Sequence, residues 1–231
     1  AYWSPLYSWV LAAFSIVLSP HPAWSVPMLH AVNFLSFLCS IAAFEYFLVC
    51  LARYTTVGPS KMPRILGYCL VLWSGLSRIT IDYVSPDMLV TALVFCVSGI
   101  LLRLRTEHVR SRIFVLLGFL LGVAYLTKGI FFLLAIVFYI PASLLSLNLS
   151  AARKSALVLV VFLITCAPFV TALSLKKGRL TFGETGRLNY AWEVLGAPRS
   201  THWQGEPVNL GSPTHPTIQV LDSPAAYLFA E

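Results

Sequence analysis

Apolar residues occupy this chain in runs of roughly a dozen or more, separated by short polar, proline- or glycine-bearing segments, and that spacing predicts helices. The runs are about Val26 to Ala52, Ile65 to Ser77, Met88 to Leu102, Ile113 to Leu126, Ile130 to Leu147 and Ala156 to Leu175. Several are short for a full bilayer crossing, which takes about 20 apolar residues. The fourth and fifth come from one stretch, Ile113 to Leu147, whose only charge is Lys128. As a single straight helix it would extend roughly 52 Å, against roughly 30 Å for a hydrocarbon core. The stretch must fold back, and Thr127-Lys128-Gly129 is where a turn fits. That turn puts an ammonium at the mouth of two helices, whereas at mid-membrane it would cost roughly 2.5 to 3.5 kcal/mol on the insertion scale.

A shorter apolar run precedes these, over residues 5 to 18, bounded by Pro5 and Pro20 and opening among Trp3, Tyr7 and Trp9. Amphipathic rings concentrate at lipid headgroups, so this run reads as an interfacial helix on the outer face. After Leu175 the pattern changes to Gly, Pro and Thr with scattered charges, as in Gly211-Ser212-Pro213-Thr214-His215-Pro216. The expected architecture is all-α and polytopic. Residues 1–175 supply about six transmembrane helices plus the interfacial helix, and residues 176–231 form an extracytoplasmic loop or the start of a soluble domain.

Composition strengthens the membrane assignment: 58% of residues are hydrophobic, 11% are charged, and the mean hydropathy is +0.80, outside the range of soluble domains. The net charge of +7 does not point to nucleic acid, because the basic residues form short clusters between apolar runs. Cys39, Cys50, Cys69, Cys96 and Cys166 all lie inside those runs without C-x-x-C spacing. They support neither a disulfide framework nor a zinc site. No phosphate loop, dinucleotide fingerprint, Ser/His/Asp arrangement or metal-ligand cluster is present, and no cofactor or metal is expected.

The clusters alternate in position. Arg53, Lys61 and Arg64 precede the second run, Arg103, Arg105, Arg110 and Arg112 lie between the third and fourth, and Arg153 and Lys154 precede the sixth. Nine of the eleven cations before residue 175 thus share one side, the cytoplasm by the positive-inside rule. Asp87, Lys128 and Trp192 are then outside. The two external cations, Arg78 and Lys128, share that face with Asp82 and Asp87. Ionisable groups converging near helix mouths pair or bind ligands, and an anionic phosphate suits the cations. Tyr190, Trp192, His202 and Trp203 could stack on a sugar; packing of a small domain explains them equally well. Gly118-x-x-x-Gly122 is a small-residue helix contact motif for internal packing or self-association. Glu45 lies about two turns from Arg53, and cytoplasm-side pairing or snorkelling explains it as readily as a functional role does.

These residues carry a resemblance. Pro5-Leu6-Tyr7-Ser8-Trp9 resembles the Pro-Pro-Leu-x-Tyr-Trp signature in the first external loop of the protein mannosyltransferase-like and aminoarabinose transferase-like enzymes of glycosyltransferase superfamily C. Gly118-x-x-x-Gly122-Val-Ala-Tyr-Leu-Thr127-Lys128-Gly129 is similar to the same group's Gly-x-x-x-Gly-x-Ala-x-Leu-Thr-Lys-Gly segment. Ser85-Pro86-Asp87-Met88-Leu89 matches its external loop with Asp before an apolar helix. The resemblance covers residues 1 to about 175 and departs at Trp3-Ser4, where several members carry Glu-Lys.

The resemblance implies a membrane enzyme that transfers a sugar from a polyprenyl-phosphate carrier to a lipid, glycan or protein acceptor, with inversion at C1. It implies an inner-membrane enzyme of a bacterial cell envelope, acting on the periplasmic or outer face. Lys128, with Arg78, would bind the donor phosphate; Asp87 and Asp82 would orient the site or the acceptor; Pro5, Tyr7, Tyr190, Trp192 and His202 are candidate substrate contacts. The family's catalytic acidic residue precedes the Pro-Leu motif, so the resemblance places it upstream of Ala1, in a longer chain of which this is an internal fragment, inactive alone. The rival reading is a transporter or flippase for a lipid-linked or anionic solute, which would favour charged or broken helices at mid-membrane and an internal repeat.

Overall fold

The computed structural model describes residues 4–55, 61–79, 83–106, 110–140, 149–183, 185–196, 201–203, 217–222 and 225–229. The chain divides into two compact units, Pro5–Thr165 and a second comprising Cys166–Glu231 with Ala1–Ser4. Every regular element among the described residues of the first unit is a helix. It begins with α1 (Leu6–Leu18), ended by Ser19 in the left-handed conformation at φ 41°. A single 3-10 turn, Pro22–Trp24, follows, its N-terminus capped by the His21 ring, which accepts from the Ala23 amide. Then come α2 (Ser25–Tyr54), α3 (Lys61–Ser77), α4 (Asp87–Thr106) and α5 (Ser111–Thr127). The short α6 (Phe131–Leu134) continues as a π-helical stretch, Ala135–Tyr139. Helix α7 (Leu149–Lys177) starts in the first unit and ends in the second.

The helices extend beyond the apolar runs that announce them, because charged residues at their ends can reach toward a polar phase while the backbone stays helical. Thus α4 continues past Leu102 through Arg103 and Arg105, in the last turn, where cations oppose the negative end of the helix dipole. Among the described residues, three helical segments are long and apolar enough to cross a membrane: Pro22–Tyr54, Asp87–Arg105 and Arg153–Lys177. Helices α1 and α5 are shorter apolar helices. Large apolar side chains are exposed along most of the helices, including Ile16, Val17, Leu66, Trp73, Leu133 and Ile164, a surface compatible with a membrane protein.

Contacts between helices fix their directions. Asn33 meets the carbonyl of Tyr83, and Phe44 and Phe47 pack on Phe95 at ring distances of 4.9 and 5.8 Å, so α2 and α4 run the same way. Between them in sequence, α3 runs back along α2, with Gly67 against Phe44 and Gly75 against Phe37. Helix α5 is antiparallel to α4, and α7 is parallel to α5: Gly118 faces Val158 and Gly122 faces Thr165. The directions gather Arg64, Arg103, Arg105, Arg110, Arg112 and Lys154 at one end of this unit, where the Lys154 ammonium lies 5.7 Å from the Phe114 ring centroid. Asn33, Tyr83, Asp87 and Lys128 lie at the other end.

In the second unit α7 contains Pro168, whose missing amide leaves the Ile164 carbonyl without its usual helical partner. Gly178, at φ 65°, terminates the helix in a conformation that suits glycine. Beyond it, the Ser174 hydroxyl accepts from the Thr181 amide at 3.1 Å and holds the chain leaving the helix. Helix α8 (Thr185–Glu193) is followed by three antiparallel strands, β1 (Thr201–Trp203), β2 (Thr217–Asp222) and β3 (Ala225–Phe229), with β3 in the centre. The register of β2 on β3 shifts between Gln219 and Leu221. This sheet lies wholly within residues 176–231, the segment expected to differ from the helical part.

The α5–α7 contact gives a stability test. A Cβ on Gly118 would stand 2.5 Å from the Val158 backbone oxygen, whereas one on Gly122 would stand 2.5 Å from side-chain atoms of Thr165. Each Gly→Ala substitution should destabilise the protein by about 1–3 kcal/mol through overpacking. Thr165→Ala removes the Cγ2 contact but keeps the Cβ at 2.5 Å, so it should recover only part of the Gly122→Ala loss, while Val161→Ala should recover little of the Gly118→Ala loss. Thermal unfolding of the four single and two double variants in detergent checks both expectations.

Candidate functional site

Helix α4 starts where the sequence asks it to. The Ser85 hydroxyl accepts from the Asp87 amide at 3.4 Å, and Pro86, which has no amide hydrogen to lose, occupies the first turn, its carbonyl accepting from Val90 at 2.9 Å. Asp87 thereby stands in that turn, where the positive end of the helix dipole favours a carboxylate. The Thr91 hydroxyl donates to the Asp87 carbonyl at 2.9 Å, and the Ser85 hydroxyl lies 3.2 Å from Asp87 Oδ2.

Lys128 comes to the same place from α5. Its amide donates to Ala124, closing the last turn, and its backbone then becomes extended at φ −150°, ψ 119°. Its carbonyl accepts from Phe131, which begins the return of the chain into α6. The break falls within the three residues where the sequence pattern placed it. Buried Tyr125 and Thr127 fix the last turn, and the Thr127 hydroxyl donates to Val123. From this turn Lys128 Nζ reaches Asp87 Oδ1 at 2.6 Å. The side chains are 48% and 38% exposed, respectively. An ion pair so open to solvent contributes only about 0–1 kcal/mol to stability. It can therefore exchange partners cheaply, and an incoming phosphate can take over the ammonium.

The other candidates separate. Exposed Arg78 follows α3, with its guanidinium carbon 5.3 Å from the Trp73 ring centroid, and no bond among the described residues joins it to Asp87 or Lys128. Asp82 lies outside the described residues. Pro5 precedes the first turn of α1, accepting from Trp9, while Tyr7 points inward and is 7% exposed. The Tyr7 hydroxyl is buried without a hydrogen-bond partner, and burial raises its pKa above that of an ordinary phenol. Tyr190 is exposed on α8 and Trp192 is half-buried with its indole N–H enclosed. Two residues apart on a helix, they point about 200° from each other, so they do not form one stacking face. His202 lies on β1, paired with Tyr227; its side chain is outside what the structure describes.

Two polar features carried more structure than the sequence pattern disclosed. Glu45 does not pair along its own helix with Arg53: it joins Arg64 and accepts from the Tyr68 hydroxyl at 2.6 Å, both on α3. The separation along the chain hid these partners, although a carboxylate inside an apolar run is itself a signal that one exists. Asn33, 0% exposed on α2, donates to the Tyr83 carbonyl at 2.9 Å. A lone amide amid apolar residues was the available cue. Gly118 and Gly122 are covered by α7 within this chain. All five cysteines are free thiols, and among the described residues no three His, Cys, Asp or Glu side chains are grouped to hold a metal.

No protein-family model matches the chain, and neither a curated protein nor a solved structure does. Its chemistry is read from its own residues and from the motif resemblance.

Because the Asp87–Lys128 pair is half-exposed, Asp87→Asn and Lys128→Met should each change folding stability by about 1 kcal/mol or less. Urea or thermal unfolding in detergent checks this. A loss of several kcal/mol from either variant would show that the pair is a structural clamp.

Proposed function

We propose that this chain is part of a membrane glycosyltransferase that takes a sugar from a polyprenyl-phosphate carrier at the outer face. The observation that supports it best is the Lys128–Asp87 contact at the end of the helical unit opposite Arg64, Arg103 and Lys154. In this reading the arginine-rich end is cytoplasmic, α1 lies in the outer interface, and α3, α5 and α6 complete six spans with the three longest helices. The membrane is the bacterial inner membrane.

The reaction breaks the bond between sugar C1 and the carrier phosphate oxygen, with the electron pair leaving on that oxygen, while an acceptor nucleophile bonds to C1 and gives up its proton. Lys128 meets the first demand: its ammonium leaves the Asp87 carboxylate and stabilises the negative charge growing on the phosphate. Asp87, held by Ser85, keeps Lys128 at the mouth until donor arrives and orients it afterward. The proton requires a carboxylate, a role the resemblance gives to neither Asp87 nor Asp82. Arg78 is a second phosphate contact only if it leaves Trp73, a cation–π contact worth about 0.5–1 kcal/mol at an exposed site. Pro5 and Tyr7 are candidate substrate contacts in the unit that holds Lys128, and Tyr190, Trp192 and His202 are candidate sugar contacts within their own unit.

The full-length protein in proteoliposomes, given a panel of polyprenyl-phosphate sugars and candidate acceptors, should transfer a sugar. Movement of the lipid-linked sugar between leaflets without transfer would instead establish the transport reading. In the active system Lys128→Met should retain fold and insertion while losing about ten- to a hundred-fold in turnover, the effect of removing a charge-assisted contact of about 1.5–3 kcal/mol. Lys128→Arg should fall between, since the guanidinium keeps the charge and changes the geometry. Normal donor affinity and turnover in Lys128→Met would remove Lys128 from the mechanism.

Sidedness has its own check. In a background with the five native cysteines replaced, Lys61→Cys, Arg110→Cys and Lys154→Cys should resist an impermeant thiol reagent in intact cells, and Asp87→Cys and Lys128→Cys should react. External labelling at position 110 with protection at 128 would invert the orientation.

A further inference from the structure

We infer that Asn33 is a positioning residue for the Asp87–Lys128 site, acting from the neighbouring helix through the chain segment that carries Asp87. The inference rests on the reading that this pair is functional. Asn33 is completely buried on α2, yet its amide donates at 2.9 Å to a main-chain carbonyl, that of Tyr83, 50 positions along the chain. Tyr83 is outside any helix and its side chain is exposed, so its own packing anchors it little. Its carbonyl is nevertheless tied to α2, the helix that packs along α4.

The residues after Tyr83 make that tie consequential. Two positions later the Ser85 hydroxyl caps α4 and touches Asp87 Oδ2, and two positions after that Asp87 Oδ1 takes the Lys128 ammonium. A fixed Tyr83 carbonyl fixes the entry of the chain into α4, the entry orients the Ser85 hydroxyl, and that hydroxyl selects which Asp87 oxygen is left for Lys128. Helices packed in lipid gain little from excluding water, so a buried amide-to-carbonyl bond is an economical way to set the register of one helix against the start of another. Leucine shares the branched heavy-atom skeleton of asparagine, is bulkier, and would suit the apolar surroundings of α2. An amide is needed there for its donor, and the donor goes to the strand of chain that leads to the site.

The test reads Lys128 directly. Membranes containing the full-length protein are treated with an amine-reactive acylating reagent, and the acylation rate of Lys128 is measured by mass spectrometry. Asp87→Asn should raise the rate by about threefold to fivefold, the range expected when a half-exposed ion pair is lost. Asn33→Leu should raise it to a similar degree, Asn33→Gln, which retains the donor, should restore part of the protection, and Asn33→Leu combined with Asp87→Asn should add nothing to Asp87→Asn alone. A purely structural Asn33 would lower thermal stability without that non-additivity. Where Asn33→Leu fails to insert, Asn33→Ala is read in the same way. Unchanged Lys128 acylation in the Asn33 variants, or additive effects with Asp87→Asn, overturns the inference; failure of the glycosyltransferase reading would appear in the sugar-transfer assay and leave the labelling pattern as it is.

Discussion

Helix α2 lies along α4 in the same direction, and the arrangement of the first unit depends on that contact. Two helices joined through a single intervening helix can be parallel only if that helix runs the whole way back, which is what α3 does. The approach is close because Gly99 of α4 leaves room for Tyr46, while Phe44, Phe47 and Phe95 fill the seam. In lipid the attraction comes from such packing more than from removal of apolar surface from water. Once α2 and α4 agree in direction, the starts of both lie at one end and their arginine-bearing ends at the other. The meeting of Asp87 with Lys128 then needs only that α5 be antiparallel to α4, which the short link between Thr106 and Ser111 enforces.

The two ends differ chemically in more than the sign of charge. At the arginine-rich end, the one acidic side chain drawn into a helix contact among the described residues, Glu45, is engaged by Arg64 and Tyr68 and joins α3 to α2. At the opposite end Asp87 and Lys128 are paired but open, and their contact links α4 to α5 without contributing much to holding them. The two pairs are about equally open to solvent, so bond partners distinguish them: Glu45 is held by both Arg64 and Tyr68 of one neighbouring helix, whereas Lys128 has Asp87 alone among the described residues.

Much of the helical layout could be read from the chain. The interval Thr127 to Gly129 was marked by length alone, because no single helix of that size fits a bilayer, and the structure ends α5 at Thr127. The run expected from Met88 becomes a helix that begins one residue earlier, at Asp87. The limits of the spans were less legible: hydropathy stops at the first charge, whereas α3 begins at Lys61 and α4 runs to Thr106. The partners of Glu45 and the role of Asn33 depend on which helices become neighbours, and a pattern along one helix does not contain that information. Arg78 shows the same gap from the other side. Its position among external charges placed it with Lys128, but the indole one turn and a little more behind it was the nearer attraction.

The π-helical stretch in α6 has a consequence for how this chain can vary in length. Phe131, Phe132, Ala135 and Ile140 are all buried, and the last two are five positions apart. In an ordinary α-helix five residues advance about 500°, which would leave Ile140 about 140° away from Ala135. The wider turn absorbs the surplus residue and returns Ile140 to the packed side. A chain lacking one residue between them would close the same turn as regular α-helix and still present isoleucine inward, whereas a chain with one residue more would carry two surplus positions and turn it out. The stretch therefore marks the place after α6 where a deletion is tolerated better than a further addition.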